Sequence, residues 1–219
     1  MSYTNFKTID DIRNKFNIRI ASQDGLFTDR EGIERIQVSA NLSEFLKDNV
    51  SLALNINTEK ARSELIIAPV LLEVRKLLKK QVSFFSGVEF NVDEELGLSG
   101  YCDFLLSNSP DQVFLESPVV CIVEAKNENI KSGYPQCIAE MIAAKLFNER
   151  KSIIVPHILG VVTTGSNWKF LKYEKEIVFI DFDEYLISQL SEIVGIIVAS
   201  INSLVPRSGA ISFCGAKLL

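Results

Sequence analysis

Residues 119–126, VVCIVEAK, constrain this chain more than any other segment. Positions 119–123 are apolar without interruption, so a strand here needs cover on both faces, as in the middle of a sheet flanked by helices. The run then ends in charge. Glu124 and Lys126 are two residues apart, so their side chains leave the same face of the strand and can converge on one ligand. A carboxylate and an ammonium at the end of an apolar strand are costly to desolvate unless they pair, bind a metal or meet solvent in a cleft.

The preceding strand-like run, residues 98–106, offers a partner. Asp103 interrupts a mainly apolar stretch, alternation places Tyr101, Asp103 and Leu105 on one face, and Gly100 permits a bulge or a close backbone approach. If the two strands are neighbours, Asp103 and Glu124 can hold one hard divalent cation between them. Mg²⁺ suits such a site, since it keeps several waters and accepts phosphate oxygens. Phosphodiester hydrolysis needs a nucleophilic water, stabilisation of charge at phosphorus and help for the leaving oxygen. A metal on Asp103 and Glu124 supplies most of this, with Lys126 orienting the water and stabilising negative charge. The competing reading of Glu124 and Lys126 is a structural ion pair at a strand end.

Around these two strands the hydrophobic pattern lays out an α/β chain. Asn57 or Thr58 caps a helix running from Glu59 to about Lys80, which Pro69 kinks or restarts. Strand-like runs follow at 82–92, 98–106 and 119–126, then a helix over 134–149 with Pro135 in its first turn, strands at 158–163, 168–173 and 177–180, and a closing helix over 183–203. The βαβ step from the third strand to the fourth implies a mixed sheet with helices on its faces. Residues 1–57 lack this strand density and read as an N-terminal extension packed on the core, with a loose helical pattern over 30–48 that includes Ile33 and Ile36. Residues 58–219 form the main domain.

On consecutive strands, G-Y-C-D (residues 100–103) followed by V-E-A-K (residues 123–126) resembles the PD-(D/E)XK nuclease superfamily, which includes restriction endonucleases. The likeness spans residues 59–173, and 160–174 is also similar to the fourth-strand hairpin in the nuclease part of type I restriction subunits. It implies a restriction endonuclease-like αβββαβ core and metal-dependent cleavage of DNA, with Mg²⁺ as cofactor and Mn²⁺ as a substitute. By this resemblance Asp103 and Glu124 map to the metal carboxylates and Lys126 to the motif lysine. Glu64 corresponds to an acidic residue that many members place on the first helix, facing the metal, and Gln136 to a glutamine that several subfamilies aim at the site. Cys102 stands where the family name has proline. A homodimer is a further implication, since many such enzymes cut two strands with two subunits. The alternative is a nuclease-fold module that binds nucleic acid or protein without cleaving.

Composition bears on this only weakly. The net charge of -5 does not announce a nucleic-acid binder. Two basic clusters, Arg75/Lys76/Lys79/Lys80 and Lys169/Lys172/Lys175, read as solvated faces before they read as phosphate tracks. Cys102, Cys121, Cys137 and Cys214 lack CxxC spacing, and the chain reads as cytoplasmic. No apolar stretch approaches the roughly 20 residues of a membrane helix. Glu128 and Glu140 read as surface or helix-face charges. His157 has no partner at metal spacing, and no GxSxG elbow or phosphate-binding loop is present.

Overall fold

The computed structural model describes residues 2–27 and 36–204. Its centre is a mixed sheet of β1 (Arg19–Gln23), β2 (Ser83–Glu89), β3 (Tyr101–Ser107), β4 (Val119–Ala125), β5 (Ile158–Thr163), β6 (Asn167–Glu174), β7 (Ile177–Asp181) and β8 (Tyr185–Leu186). The order across it is β1-β7-β6-β5-β4-β3-β2, with the short β8 on β6. The strands β2, β3 and β4 form an antiparallel meander, and β4 then pairs parallel with β5. A parallel pair needs a long crossover, here α5 (Tyr134–Arg150). Every residue of β4 and β5 is buried, as the uninterrupted apolar runs required.

Helices cover both faces of the sheet. One face carries α2 (Ala40–Ile56), α4 (Ala68–Leu77) and α6 (Leu190–Asn202), packed through Leu46, Val70, Leu71, Ile193 and Ile197 onto Val123, Val161 and Phe170. The other carries α5 and α1 (Ile9–Phe16), with Ile12, Ile138 and Met141 against Leu105, Ile122 and Val162. Gly160 permits the close approach of α5: a Cβ there would lie 2.4 Å from Met141 Sδ and 3.2 Å from Cys137 Sγ.

The expected helix from Glu59 is interrupted. Thr58 caps α3 (Glu59–Arg62) by accepting from the Ala61 N–H at 3.1 Å, a π-helical turn follows (Ser63–Ile67), and α4 restarts with Pro69 in its first turn. A proline ring clashes with the preceding turn of a continuous α-helix, and the widened π-turn is what lies before it here.

Three boundaries differ from the sequence pattern. The N-terminal segment supplies a strand: β1 pairs parallel with β7 and forms one edge of the sheet. The closing helix begins only at Leu190, because Tyr185 and Leu186 first pair with Trp168 and Asn167 of β6. The helix anticipated near 30–48 is α2, and Ile33 lies outside the described residues. Among the described residues no helix is long and apolar enough to cross a membrane.

Two side chains finish backbone bonding that the sheet leaves open. Gln112, in the β3–β4 connection, accepts from the Phe84 N–H at 3.1 Å and donates to the Phe84 carbonyl at 2.5 Å, at the free edge of β2. Asn148 of α5 is buried; it accepts from the Val119 N–H at 2.7 Å and donates to the Val119 carbonyl at 2.8 Å. Asn148→Ala strands a buried donor and a buried acceptor at the start of β4. A loss of about 2–4 kcal/mol, measured by urea denaturation, is expected; an unchanged midpoint would show that this clamp is unimportant.

Candidate functional site

The register of β3 and β4 sets the site. Leu105 lies opposite Ile122 and Phe104 opposite Val123, and the next step brings Asp103 across from Glu124. There the ladder gives way to a side chain: the Ala125 N–H donates to Asp103 Oδ2 at 2.7 Å. On the other side of β4, Glu124 is level with Val162 of β5, and the Lys126 N–H reaches the Thr163 carbonyl at 2.8 Å. Asp103, Glu124 and Lys126 therefore gather on one face at the C-terminal end of β4, as the spacing required.

Glu124 has no exposed surface. Its Oε1 pairs with the Lys126 ammonium, whose side chain keeps 20% of its exposure, while its Oε2 is buried with no hydrogen-bond partner among the described residues. The floor is the turn that starts α5, a 3₁₀ segment (Ile130–Gly133) pressed directly onto the pair. A Cβ on Gly133 would lie 2.6 Å from Val162 Cγ1, 3.2 Å from Lys126 Cγ and 3.4 Å from Glu124 Cγ. The β2 side is open. Gly87 falls between the pairs Ser86–Phe104 and Val88–Cys102, so it faces Asp103 across the ladder, and a Cβ there would meet nothing within 4 Å.

Burial dominates the electrostatics. It pushes Glu124 up to about 8, with the Asp103 charge adding to the shift and Lys126 opposing it. Asp103 is also raised by burial, against the Ala125 N–H and Lys126. For Lys126 burial works downward, but Glu124, with Glu59 and Asp103, outweighs it and holds the ammonium above its ordinary range.

Two assignments change. Glu64 does not join this group: its side chain is 62% exposed and pairs with Lys60 at 3.5 Å. The acidic residue of this helical segment that lies within electrostatic reach of Lys126 and Asp103 is Glu59, an exposed residue whose carboxyl is raised by partial desolvation first and by Asp103, with Lys126 opposing. Five helical residues at 3.6 per turn are far out of phase, so one helix cannot aim both side chains at one point. Glu140, read as a surface or helix-face charge, is fully buried on α5; burial first and Glu124 second hold it well above the ordinary carboxylate range. Gln136 donates to Glu140 Oε1 at 3.1 Å, so it reaches the site through Glu140. The available signal was local: Glu140 is the sole polar residue in CIAEMIAA, residues 137–144, a stretch with no solvent-facing side.

Other candidates stand apart. Glu128 is exposed and accepts from Asn57 at 3.1 Å. His157 is half-buried, 2.9 Å from Ser200 Oγ. Cys102, Cys121 and Cys137 are buried and unpaired, and Cys214 lies outside the described residues. Of the basic clusters, Lys169 is buried and donates to the Phe182 carbonyl at 2.8 Å, a departure from the solvated reading, while Lys172 and Lys175 pair with Glu174 at 3.2 and 3.4 Å.

Among the described residues no three His, Cys, Asp or Glu side chains form a group that could hold a metal ion. A cation here would rest on two carboxylates and complete its shell with solvent or ligand oxygens, which Mg²⁺ accepts. The unpartnered Glu124 Oε2 is an acceptor of the type such an ion takes. No protein-family model matches the chain, and no curated protein matches it.

The raised carboxyls carry a sign. Above the ordinary value of 4.5, folded Glu124 retains a proton that the unfolded chain has released, so stability falls as pH rises toward about 8. In EDTA, the urea midpoint of the wild type is expected to decline across this window and to decline less in Glu124→Gln. Asp103 and Glu59 contribute with the same sign, so some slope remains. Identical slopes for the two proteins would refute this account.

Proposed function

We propose that the protein is a metal-dependent nuclease of the PD-(D/E)XK type that hydrolyses phosphodiester bonds in DNA. The observation that carries this reading is Glu124: a carboxylate with no exposed surface, paired on one oxygen, unpartnered on the other and opposite a second carboxylate. Packing gives no reason for this cost. An apolar side chain at the end of β4 would be cheaper to bury than a carboxyl with one oxygen unpartnered, whereas a bound cation would give that oxygen a ligand and favour its ionised form.

Asp103 and Glu124 would hold the ion, with Glu59 as a nearby negative charge in place of the expected Glu64. Mg²⁺ bound there would supply Lewis acidity and lower the pKa of its water. The residues of the chain do the rest. Lys126 presents its ammonium beside Glu124, where it can orient a water and stabilise negative charge on a phosphate. The Ala125 N–H fixes one oxygen of Asp103, leaving the other for a ligand. The opening opposite Gly87 admits the substrate beside Asp103, while Gly133 and α5 exclude water from below.

A second reading has its own support. With Lys126 closed on Glu124 and, among the described residues, no third carboxylate in metal-holding geometry, the same cleft suits a binding module that has lost catalysis. Calorimetry with Mn²⁺ separates the two, because only the nuclease requires the ion. On supercoiled plasmid in Mg²⁺ or Mn²⁺, the wild type is expected to nick or linearise DNA. Lys126→Ala and Glu124→Gln should each lower the rate by about 10²–10³-fold, the usual loss when one transition-state stabiliser is removed. Equal cleavage by the wild type and Lys126→Ala would overturn the assignment.

A further inference from the structure

Arg62, the last residue of α3, has no role in the reading above, yet it is buried, with only 8% of its surface exposed. One arm of its guanidinium, Nη1, donates to the Thr164 carbonyl at 2.8 Å, and the other, Nη2, donates to Asn57 Oδ1 at 3.0 Å. Its Nε is buried with no partner, and no carboxylate pairs with it among the described residues. Elsewhere in the sheet, backbone groups are closed by the neutral amides of Gln112 and Asn148, which are cheaper to desolvate than a guanidinium. Holding one carbonyl in place therefore does not account for an arginine here.

Its two bonds complete a circuit that begins and ends beside Lys126. The Lys126 N–H donates to the Thr163 carbonyl at 2.8 Å, and Thr164 is the next residue of that turn. From Arg62 the circuit passes to Asn57, the left-handed residue that ends α2, whose Nδ2 donates to Glu128 Oε1 at 3.1 Å. Glu128 is two residues beyond Lys126, so the circuit returns to the segment it left. The turn lies hard against the helical segment: a Cβ on Gly165, where φ is +80°, would be 3.2 Å from Ile66 Cδ1 and 3.6 Å from Arg62 Cβ. A planar fork of fixed donors is suited to joining acceptors from two segments at once, which a lysine, a point charge on a flexible stem, is not.

We infer that Arg62 is a positioning residue: by tying the β5–β6 turn to Asn57, and through Asn57 to Glu128, it fixes the chain at Lys126 and two residues beyond, and so the direction in which the Lys126 ammonium meets Glu124. Lys126 is then held at its own N–H and through Glu128, with the guanidinium fork joining the two holds. This deepens the nuclease reading and rests on it for the use to which Lys126 is put. A misplacement of about 1 Å, even by a change remote from the chemistry, can cost a reaction about 100-fold.

The test uses the full chain and the variants Arg62→Met, Arg62→Lys, Glu128→Ala and Glu128→Gln, with three readouts: urea stability, the ¹⁵N NMR signal of the Lys126 ammonium without metal, and kcat and KM on supercoiled plasmid in Mn²⁺. Arg62→Met should shift the Lys126 signal and lower kcat by up to about 100-fold with KM unchanged. Arg62→Lys, which keeps the charge and loses the fork, should restore neither. Glu128→Ala, which cuts only the last link, should shift the signal less, and Glu128→Gln, which keeps the acceptor without the charge, should leave it at the wild-type position. A purely structural role would move stability and leave the Lys126 signal and kcat untouched; that outcome would overturn the inference, as would full rescue by Arg62→Lys or equal shifts in the two Glu128 variants. If neither Arg62 variant folds, an unmoved signal in Glu128→Ala overturns it equally. If the wild type cuts no DNA, the nuclease reading falls by itself, and the Lys126 signal alone decides whether Arg62 positions Lys126.

Discussion

A carboxylate buried at the end of a strand that has no exposed residue is the constraint around which this molecule is arranged. Glu124 cannot reach water, and its surroundings act on it in opposite senses: burial and the charges of Asp103 and Glu59 oppose its charge, while Lys126 favours it. Lys126 folds back from the same face, and Asp103 of β3 is steadied by a backbone donor of β4. The turn before α5 dispenses with a side chain at Gly133 so that it can lie against both residues. The helix beginning at Thr58 brings Glu59 within electrostatic reach. These features come from segments far apart in sequence, and the crossover from β4 to β5 brings several of them to one end of the sheet.

The parts of this arrangement that could be read from sequence are those written in short-range pattern. A strand buried on both faces shows itself as an unbroken apolar run, so β4 and β5 were legible, and the two-residue spacing of Glu124 and Lys126 fixed their common face. Pro69 marked the restart of α4. The phase of the first helix was not legible. A π-turn leaves no dependable mark in composition, and Glu59 and Glu64 are equivalent to a pattern that does not know which way the capped turn points. The strand β1 was missed because RIASQ is half exposed and owes its structure to a partner far along the chain, β7. Glu140 was misread because a single charge on a helix is normally the exposed one.

The proposed nucleic-acid substrate has to be weighed against the charges on the chain, several of which are already engaged. Lys172, Lys175, Lys76 and Lys145 are engaged with carboxylates, and Lys169 is held by a carbonyl. The carboxyls of Asp103, Glu124, Glu59 and Glu140 each lie within electrostatic reach of at least one of the others, and each is raised above its ordinary range. Such a concentration is unfavourable to folding and favourable to a dication, the usual tension between stability and function at a site.

The amide of Gln112 bears on how the molecule meets its own kind. By bonding both backbone groups of Phe84, it takes the place a further strand would occupy, and farther along the same border Gly87 turns the chain with a φ of +60°. Edge strands with free hydrogen-bonding groups are templates for aggregation, and natural sheets blunt them. This rim is blunted by one glutamine and one glycine, so the exposed Val113 and Phe114 beside it can be tolerated without offering a neighbouring molecule a ladder to climb.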